Sequence, residues 1–241
     1  MVCASQFNNL LWLYSDGGRR IVAVIHAYLD ESGTNAEAPV VTVAGFYGCQ
    51  GQWEIFRNLW TPLIPPSGFH AKRSGRAFAD LCYAIRQSAI NGLFCTIGKE
   101  TYNRCASAHL KTAVGNCYSI CAFLCALGIS REVGEPVSFV IEHGQPNVSF
   151  VNRILEAMMT DESFGVGAVA IAKKSDFVQL HPADFVSHLA SAHEKPWLEH
   201  LMQTGRLKHG HITEQMLLEA SPQVTQLMQY ARSERKRLKE Q

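Results

Sequence analysis

Acidic residues at the ends of two apolar segments are the first sign of chemistry in this sequence. The segment HAYLDESGT, residues 26–34, runs from an apolar stretch into Asp30, Glu31 and a Ser-Gly pair. The segment VSFVIEHG repeats the pattern, with Glu142 at its end. A carboxylate on an interior strand is costly unless it is solvated, paired or bound to a cation. Acids and glycine are also common where a loop begins, so each segment alone is equally typical of an ordinary turn.

A third acid, Asp184, lies in the segment HPADFVSHLASAHE. Pro182 suits the first turn of a helix, which puts Asp184 near the helix N-terminus. The helix dipole there keeps a carboxylate ionised and can direct it at a cation, although an acid at this position also stabilises a helix without any further role. His181, Asp184 and His188 share one helical face by their spacing.

The loop PPSGFHAKRSGR contains a histidine, His70, beside the basic residues Lys72, Arg73 and Arg76. These cations could contact a phosphate backbone, although a solvated basic loop explains them as well. Histidine exchanges protons near neutral pH, so His70 could orient an attacking water or protonate a leaving group.

Five apolar segments predict the strands that must position these residues: IVAVIHAYL, PVVTVAGFYG, LFCTIGKE, PVSFVIEHG and VGAVAIAKK. The first three are close enough along the chain to form an antiparallel set. The last two are each preceded by a helical segment, as parallel crossovers require. One of these segments, residues 106–128, predicts a single long helix. The pattern predicts an α/β fold.

The chain divides into three ranges. Residues 1–20 form a poorly patterned N-terminal extension, residues 21–195 contain the predicted strands, and residues 196–241 form a C-terminal helical extension with a basic end. With 241 residues and 47% hydrophobic composition, the chain can bury a full core. A net charge of +1 excludes a global field that attracts nucleic acid or anionic membranes, so a nucleic-acid partner must be held by a local site.

The eight cysteines lack paired spacing, and most lie in apolar segments such as CYSICAFLCALG. With no signal-peptide pattern at the N-terminus, we expect reduced, buried thiols in a cytoplasmic protein. The charge-free stretch from residue 112 to residue 130 is expected to be a core helix rather than a membrane span. Cys117, Cys121 and Cys125 recur along it among apolar neighbours, which favours core packing over a zinc site.

The order of five short motifs resembles the domain-of-unknown-function family 3800. The motifs are YLDESGT, VTVAGFYG, FHA, SFVIEHG and VQLHPADFVSHLA, and the resemblance covers about residues 24–193. That family is similar to ribonuclease H-like nucleases and transposases. The resemblance therefore implies a ribonuclease H-like fold, with a five-stranded mixed sheet flanked by helices. In that sheet strands one and four are neighbours, so the ends that carry Asp30 and Glu142 would meet.

The resemblance also implies site residues. Asp30, Glu142 and Asp184 would form the acidic core, with Glu31 and His70 as accessory catalytic residues. Three hard carboxylates suit Mg²⁺ or Mn²⁺ rather than zinc. Such ions activate water and stabilise the leaving oxygen of a phosphodiester. The expected function is a metal-dependent phosphodiester hydrolase, nuclease-like, with DNA or RNA as its substrate.

This sequence departs from the family pattern at three points. Glu142 stands where related nucleases more often have Asp, and His181-Pro182 interrupts the run before Asp184. Residues 106–128 contain no acid to match a further glutamate of ribonuclease H, for which Glu31 or His70 could substitute. A second function class therefore stays open: a non-catalytic binding or interaction module of the same fold, which the near-neutral charge favours. A phosphatase or nucleotide hydrolase at the same site is a third.

Overall fold

The computed structural model describes residues 25–73, 75–144, 148–191 and 195–239. The predicted extension over residues 1–20 and the first four residues of the predicted first strand lie outside these ranges.

Six strands form one mixed sheet in the order β5-β4-β1-β2-β3-β6. β1, β2 and β3 are antiparallel, whereas β4 is parallel to β1, β5 to β4, and β6 to β3. The predicted α/β fold with a mixed sheet is thus confirmed, and the first and fourth strands are neighbours. The strands are β1 Ile25–Ser32, β2 Val40–Cys49, β3 Asn91–Gly98, β4 Val137–Glu142, β5 Val166–Ala172 and β6 Leu207–His211.

The prediction of five strands is wrong, because β6 adds a sixth strand beside β3. β6 lies within the range that the sequence indicated as a helical extension. Of its five residues only Leu207 is buried, and the remaining KHGH lacks the apolar alternation of a strand. A strand at the edge of a sheet can be held by its backbone hydrogen bonds to one neighbour, so its side chains carry little signal.

Helices cover both faces of the sheet. Within the described residues they are α1 Gln50–Trp60, α2 Phe78–Ser88, α3 Lys99–Cys105, α4 Ala108–Val114, α5 Cys117–Val133, α6 Val148–Met158, α7 His181–Ser191, α8 Lys195–Gln203 and α9 Glu214–Lys239. One apolar core joins the sheet to α4, α5, α6 and α9, and the other joins it to α1, α2, α7 and α8.

The alternation of side chains along β1 decides where its two acids point. Ala27 and Leu29 belong to the core on the α5 face, whereas Tyr28 belongs to the core on the α7 face. Successive residues of a strand point to opposite faces. Asp30 therefore shares the α7 face with Tyr28, and Glu31 points to the α5 face.

The single helix predicted over residues 106–128 is broken in the structure. α4 and α5 meet at an angle of 76°. Gly115, between them, has a φ of +80°, which side chains with a Cβ rarely adopt. Asn116 begins α5, and its side chain accepts a hydrogen bond of 2.9 Å from the Ser119 N–H. Among the described residues no single helix is both long and apolar enough to cross a membrane, and α4 and α5 reach that length only together.

α5 is a core helix, as predicted. Its residues Cys117, Cys121 and Cys125 are buried thiols, and the described cysteines form no disulfides.

Candidate functional site

The candidate site lies at one edge of the sheet. Because β1, β4 and β5 are parallel, their C-terminal ends lie at the same edge. Asp30 is the third residue from the end of β1, and Glu142 is the last residue of β4. Lys174 follows β5 by two residues, and Asp184 reaches the same place from the first turn of α7.

The ammonium group of Lys174 lies between the three acids. Its Nζ is 2.9 Å from Asp30 Oδ2, 3.1 Å from Glu142 Oε1 and 2.9 Å from Asp184 Oδ1. An ammonium has three N–H donors, which equals the number of carboxylates around it. The Asp30 residue is 1% exposed, and the Lys174 side chain is 14% exposed. The three predicted metal ligands are therefore brought together around a positive charge that the chain itself supplies.

Backbone amides fix the two aspartates. Asp30 Oδ1 accepts a hydrogen bond of 2.8 Å from the Glu31 N–H, and Asp184 Oδ2 accepts one of 2.9 Å from the Ala71 N–H. Each aspartate thus binds the backbone with one oxygen and Lys174 with the other. Ala71 directly follows His70, so Asp184 also anchors the loop that carries His70 beside the site.

His181 supports the loop that carries Lys174. Trp60 donates a hydrogen bond of 2.8 Å from Nε1 to His181 Nδ1, and His181 also hydrogen-bonds the backbone of Lys174. Burial lowers the pKa of His181 to about 4, so the ring is neutral at neutral pH. His181 therefore links α1 to the Lys174 loop.

The charges at this edge shift one another's pKa. Burial, a hydrogen bond to Glu142 and the charge of Glu31 raise the pKa of Asp30 well above its ordinary value, against an opposing effect of Lys174. Burial and Glu142 raise the pKa of Glu31 to about 8. Burial lowers the pKa of Lys174, but Asp30, Asp184 and Glu142 together raise it above its ordinary value. The lysine is therefore charged. It is a single positive charge among several buried acids, so the pKa values of Asp30 and Glu31 remain raised.

Glu31 and His70 border the same cavity from different sides. The cavity, of about 360 Å³, is lined among others by Glu142, Asp184 and Lys174. Glu31 is buried on the α5 face, close to Tyr118, and still reaches the cavity wall. His70 is exposed at the cavity's loop side.

A second cavity, of about 820 Å³, lies along the His70 loop. It shares Phe69 and His70 with the first and is also lined by Arg73. Lys72 lines the first cavity, so each of the two exposed cations lines one of the cavities that share Phe69 and His70. The side chain of Arg76, the third cation of this loop, lies outside the described residues.

Sequence reasoning missed Lys174. The signal was present, because Lys173 and Lys174 are the last two residues of the fifth segment, and parallel strands end at a common edge. The sequence pattern alone does not say which of the two lysines turns inward. In the structure Lys173 is exposed and Lys174 contacts the acids.

The donors suit a divalent cation in type but not in their present arrangement. Carboxylate oxygens are the ligands that Mg²⁺ and Mn²⁺ prefer. Among the described residues, however, no three His, Cys, Asp or Glu side chains are grouped so as to hold a metal ion. The point at which Asp30, Glu142 and Asp184 converge holds the ammonium of Lys174 instead.

No protein-family model and no curated protein matches this chain. Among solved structures it is similar to Bst-RNase HIII in complex with Mn²⁺, at 15% identity and a TM-score of 0.48, over 75% of this chain and 54% of that one. This chain thus spans about half the length of that ribonuclease HIII. It is also similar to ribonuclease HII in a complex with PCNA from Archaeoglobus fulgidus, at 17% identity and a TM-score of 0.43, over 75% and 78% of the two chains.

Proposed function

We propose that this protein is a metal-dependent phosphodiester hydrolase with a ribonuclease H-like fold, acting on DNA or RNA. One observation carries the proposal: Asp30, Glu142 and Asp184, from three different elements, lie within 3.1 Å of a single cationic nitrogen. Burying acids together is unfavourable unless a cation compensates them. The resemblance of the sequence to the domain-of-unknown-function family 3800 supports the same proposal.

In this proposal Asp30, Glu142 and Asp184 would hold Mg²⁺ or Mn²⁺. A bound divalent ion supplies an activated water and stabilises the leaving oxygen. The backbone amides of Glu31 and Ala71 keep the two aspartates oriented, which limits the reorganisation needed when a cation binds.

Exposed residues of the cavity wall would bind the substrate and exchange protons with it. His70 faces the same cavity as the acids, where an imidazole can exchange a proton with water or a leaving group. Lys72 lines this cavity and Arg73 lines the second one, and cations in such positions pair with phosphates. A phosphodiester chain laid along the cavities would therefore contact Arg73 and Lys72 and bring one phosphate to the acids.

Carboxamide variants test the proposal directly. We expect Asp30→Asn and Asp184→Asn each to reduce Mn²⁺-dependent cleavage of single- or double-stranded DNA or RNA about 100-fold or more, because several kcal/mol of metal-supplied stabilisation is lost. Asp80→Asn, which removes an exposed acid from the first turn of α2, is the matched control and should cleave like the unaltered protein. Metal-dependent cleavage that survives Asp30→Asn would overturn the proposal.

A non-catalytic binding module is the second candidate, and Lys174 favours it. In the structure this lysine forms an ion pair with each of the three acids. If the unaltered protein binds nucleic acid but cleaves none of these substrates with Mg²⁺ or Mn²⁺, and Asp30→Asn leaves binding unchanged, the module is the better description. Cleavage of nucleotides or phosphomonoesters alone would instead indicate a small-substrate hydrolase at the same site.

A further inference from the structure

The position of Lys174 points to a competition within the site. We propose that the Lys174 ammonium and a divalent cation are alternative occupants of the three-carboxylate site, so that a metal binds only when it expels Lys174. This inference rests on the proposed metal site and concerns how that site is loaded.

The geometry leaves no room for both occupants. Lys174 Nζ lies 2.9–3.1 Å from one oxygen each of Asp30, Glu142 and Asp184. A magnesium ion binds carboxylate oxygens at about 2.0–2.1 Å, so an ion held by these three oxygens would occupy the volume now filled by the ammonium. The two groups also carry charge of the same sign, and the site is buried. One must leave before the other binds.

The backbone of Lys174 is held while its side chain has a way out. The Lys173 carbonyl accepts hydrogen bonds of 3.0 Å from the Asp176 N–H and 3.2 Å from the Phe177 N–H, which close a tight turn. His181 holds the Lys174 backbone from the helix side. The Lys174 side chain itself lines the 360 Å³ cavity and is 14% exposed. Rotation about side-chain bonds can therefore carry the ammonium into the cavity without unfolding the loop.

Expulsion would change the charge of the cavity wall. The ammonium would move from among the acids toward the side of the cavity formed by His70 and Lys72. A phosphate entering the cavity would then meet an additional cation there. Metal loading and phosphate binding would support one another, because the metal frees a positive charge and a phosphate stabilises it outside the acid cluster.

Isothermal titration of Mn²⁺ into metal-stripped full-length protein tests the competition. We expect Lys174→Met to bind Mn²⁺ about tenfold or more tightly than the unaltered protein, since the competing occupant is gone. Lys173→Met is the matched control, because it removes the same charge from an exposed neighbour and should leave the affinity unchanged. Lys174→Arg keeps a cation at the site and should not gain affinity.

Three outcomes separate the inference from the function on which it rests. If Lys174→Met binds Mn²⁺ more tightly and neither Lys173→Met nor Lys174→Arg does, the result supports both the competition and the metal site. Equal Mn²⁺ affinity in the unaltered protein and folded Lys174→Met overturns the competition but leaves the metal site standing. If neither protein binds Mn²⁺ while Lys174→Met remains folded, the metal site itself is wrong.

A measurement on the unaltered protein covers the case in which Lys174→Met fails to fold. An amine-acetylating reagent should modify Lys174 slowly without metal, because the ammonium is held by three carboxylates. We expect saturating Mn²⁺ to raise the acetylation rate of Lys174 several-fold, read by peptide mass spectrometry, while the rate at Lys173 stays constant. An unchanged or slower rate at Lys174 with bound Mn²⁺ would show that metal and lysine do not exchange, and would overturn the inference.

Discussion

The buried acids at the sheet edge are not equivalent, and Glu31 is the one least compensated. Lys174 contacts Asp30, Glu142 and Asp184, but no ion pair joins it to Glu31 among the described residues. Burial, followed by the charge of Glu142, raises the pKa of Glu31 to about 8, against smaller opposing effects of Tyr118 and Lys174. Glu31 is therefore largely protonated at neutral pH in the folded protein.

This shift predicts that the folded protein loses stability as pH rises. The ordinary pKa of Glu31 is 4.5, so between pH 4.5 and about 8 the folded state binds more protons than the unfolded state. Stability contributed by this group is thus present at low pH and is lost as pH rises through the folded pKa. We expect Glu31→Gln to unfold at a higher temperature than the unaltered protein at pH 8, by about 2–4 °C per kcal/mol of relieved charge burial, and to differ much less at pH 5.

Thermal unfolding in chelator at both pH values measures this difference. Glu37→Gln, at an exposed position in the turn after β1, is the control and should follow the unaltered protein at both. Asp30 is retained in every variant, but the charge of Glu31 contributes to its raised pKa, so the difference between Glu31→Gln and the unaltered protein reports Glu31 together with its effect on Asp30. Parallel pH profiles for these two proteins would contradict the assignment.

At the scale of elements, the bend between α4 and α5 depends on Gly115. A Cβ at this position would lie 2.7 Å from a ring atom of Phe150, and the φ of +80° is itself unfavourable for alanine. Gly134, at the other end of α5, also has a positive φ, of +71°, but a Cβ there would meet nothing within 4 Å. Alanine at Gly134 would therefore strain only the backbone, whereas alanine at Gly115 would also overlap Phe150 of α6.

We expect Gly115→Ala to lower the free energy of unfolding by about 1–3 kcal/mol more than Gly134→Ala does, because only the former overlaps a packed ring. Urea denaturation of both variants measures the difference. A Phe150→Ala background should reduce it, since the overlap is then gone. Equal costs for the two glycine variants would mean that Phe150 yields without strain.

The strands and helices were predictable from the sequence only in part. Strands β1 to β5 were predictable, because each contains a mainly apolar run of strand length. β6 was not, since its stability comes from backbone pairing with β3 and one buried residue, Leu207. The break at Gly115 was also missed, because the apolar pattern continues across it and only the contact with Phe150 shows why a glycine is needed there.

The residues of the candidate site were also predictable only in part. The resemblance to the family predicted that Asp30 and Glu142 meet, because it implies that the first and fourth strands are neighbours and parallel strands end at a common edge. Lys174 could not be predicted, since its role depends on the turn closed by the Lys173 carbonyl and on support from His181. Sequence patterns therefore located the acids but not the charge that compensates them.

At the scale of the whole molecule, a net charge of +1 must be reconciled with a proposed polyanionic substrate. Attraction cannot come from the overall field, so it has to come from a few local contacts. Among the described residues, Lys72 is an exposed cation in the cavity that contains the acids, and Arg73 lines the second cavity, which shares Phe69 and His70 with the first. Each phosphate contact contributes about −0.9 to the slope of log affinity against log salt for duplex DNA and about −0.7 for single strands.

We therefore expect a shallow salt dependence that these two residues dominate. Lys72→Ala/Arg73→Ala should weaken nucleic-acid binding and reduce the salt slope by about 1.8 for duplex DNA or about 1.4 for single strands, because two phosphate contacts are lost. Arg86→Ala/Arg232→Ala removes the same charge from exposed positions that line neither cavity, and its slope should stay that of the unaltered protein. Fluorescence anisotropy between about 50 and 200 mM salt covers the range over which such slopes are resolved. If both double variants reduce the slope equally, binding follows overall charge rather than this loop, and the substrate path along the two cavities is wrong.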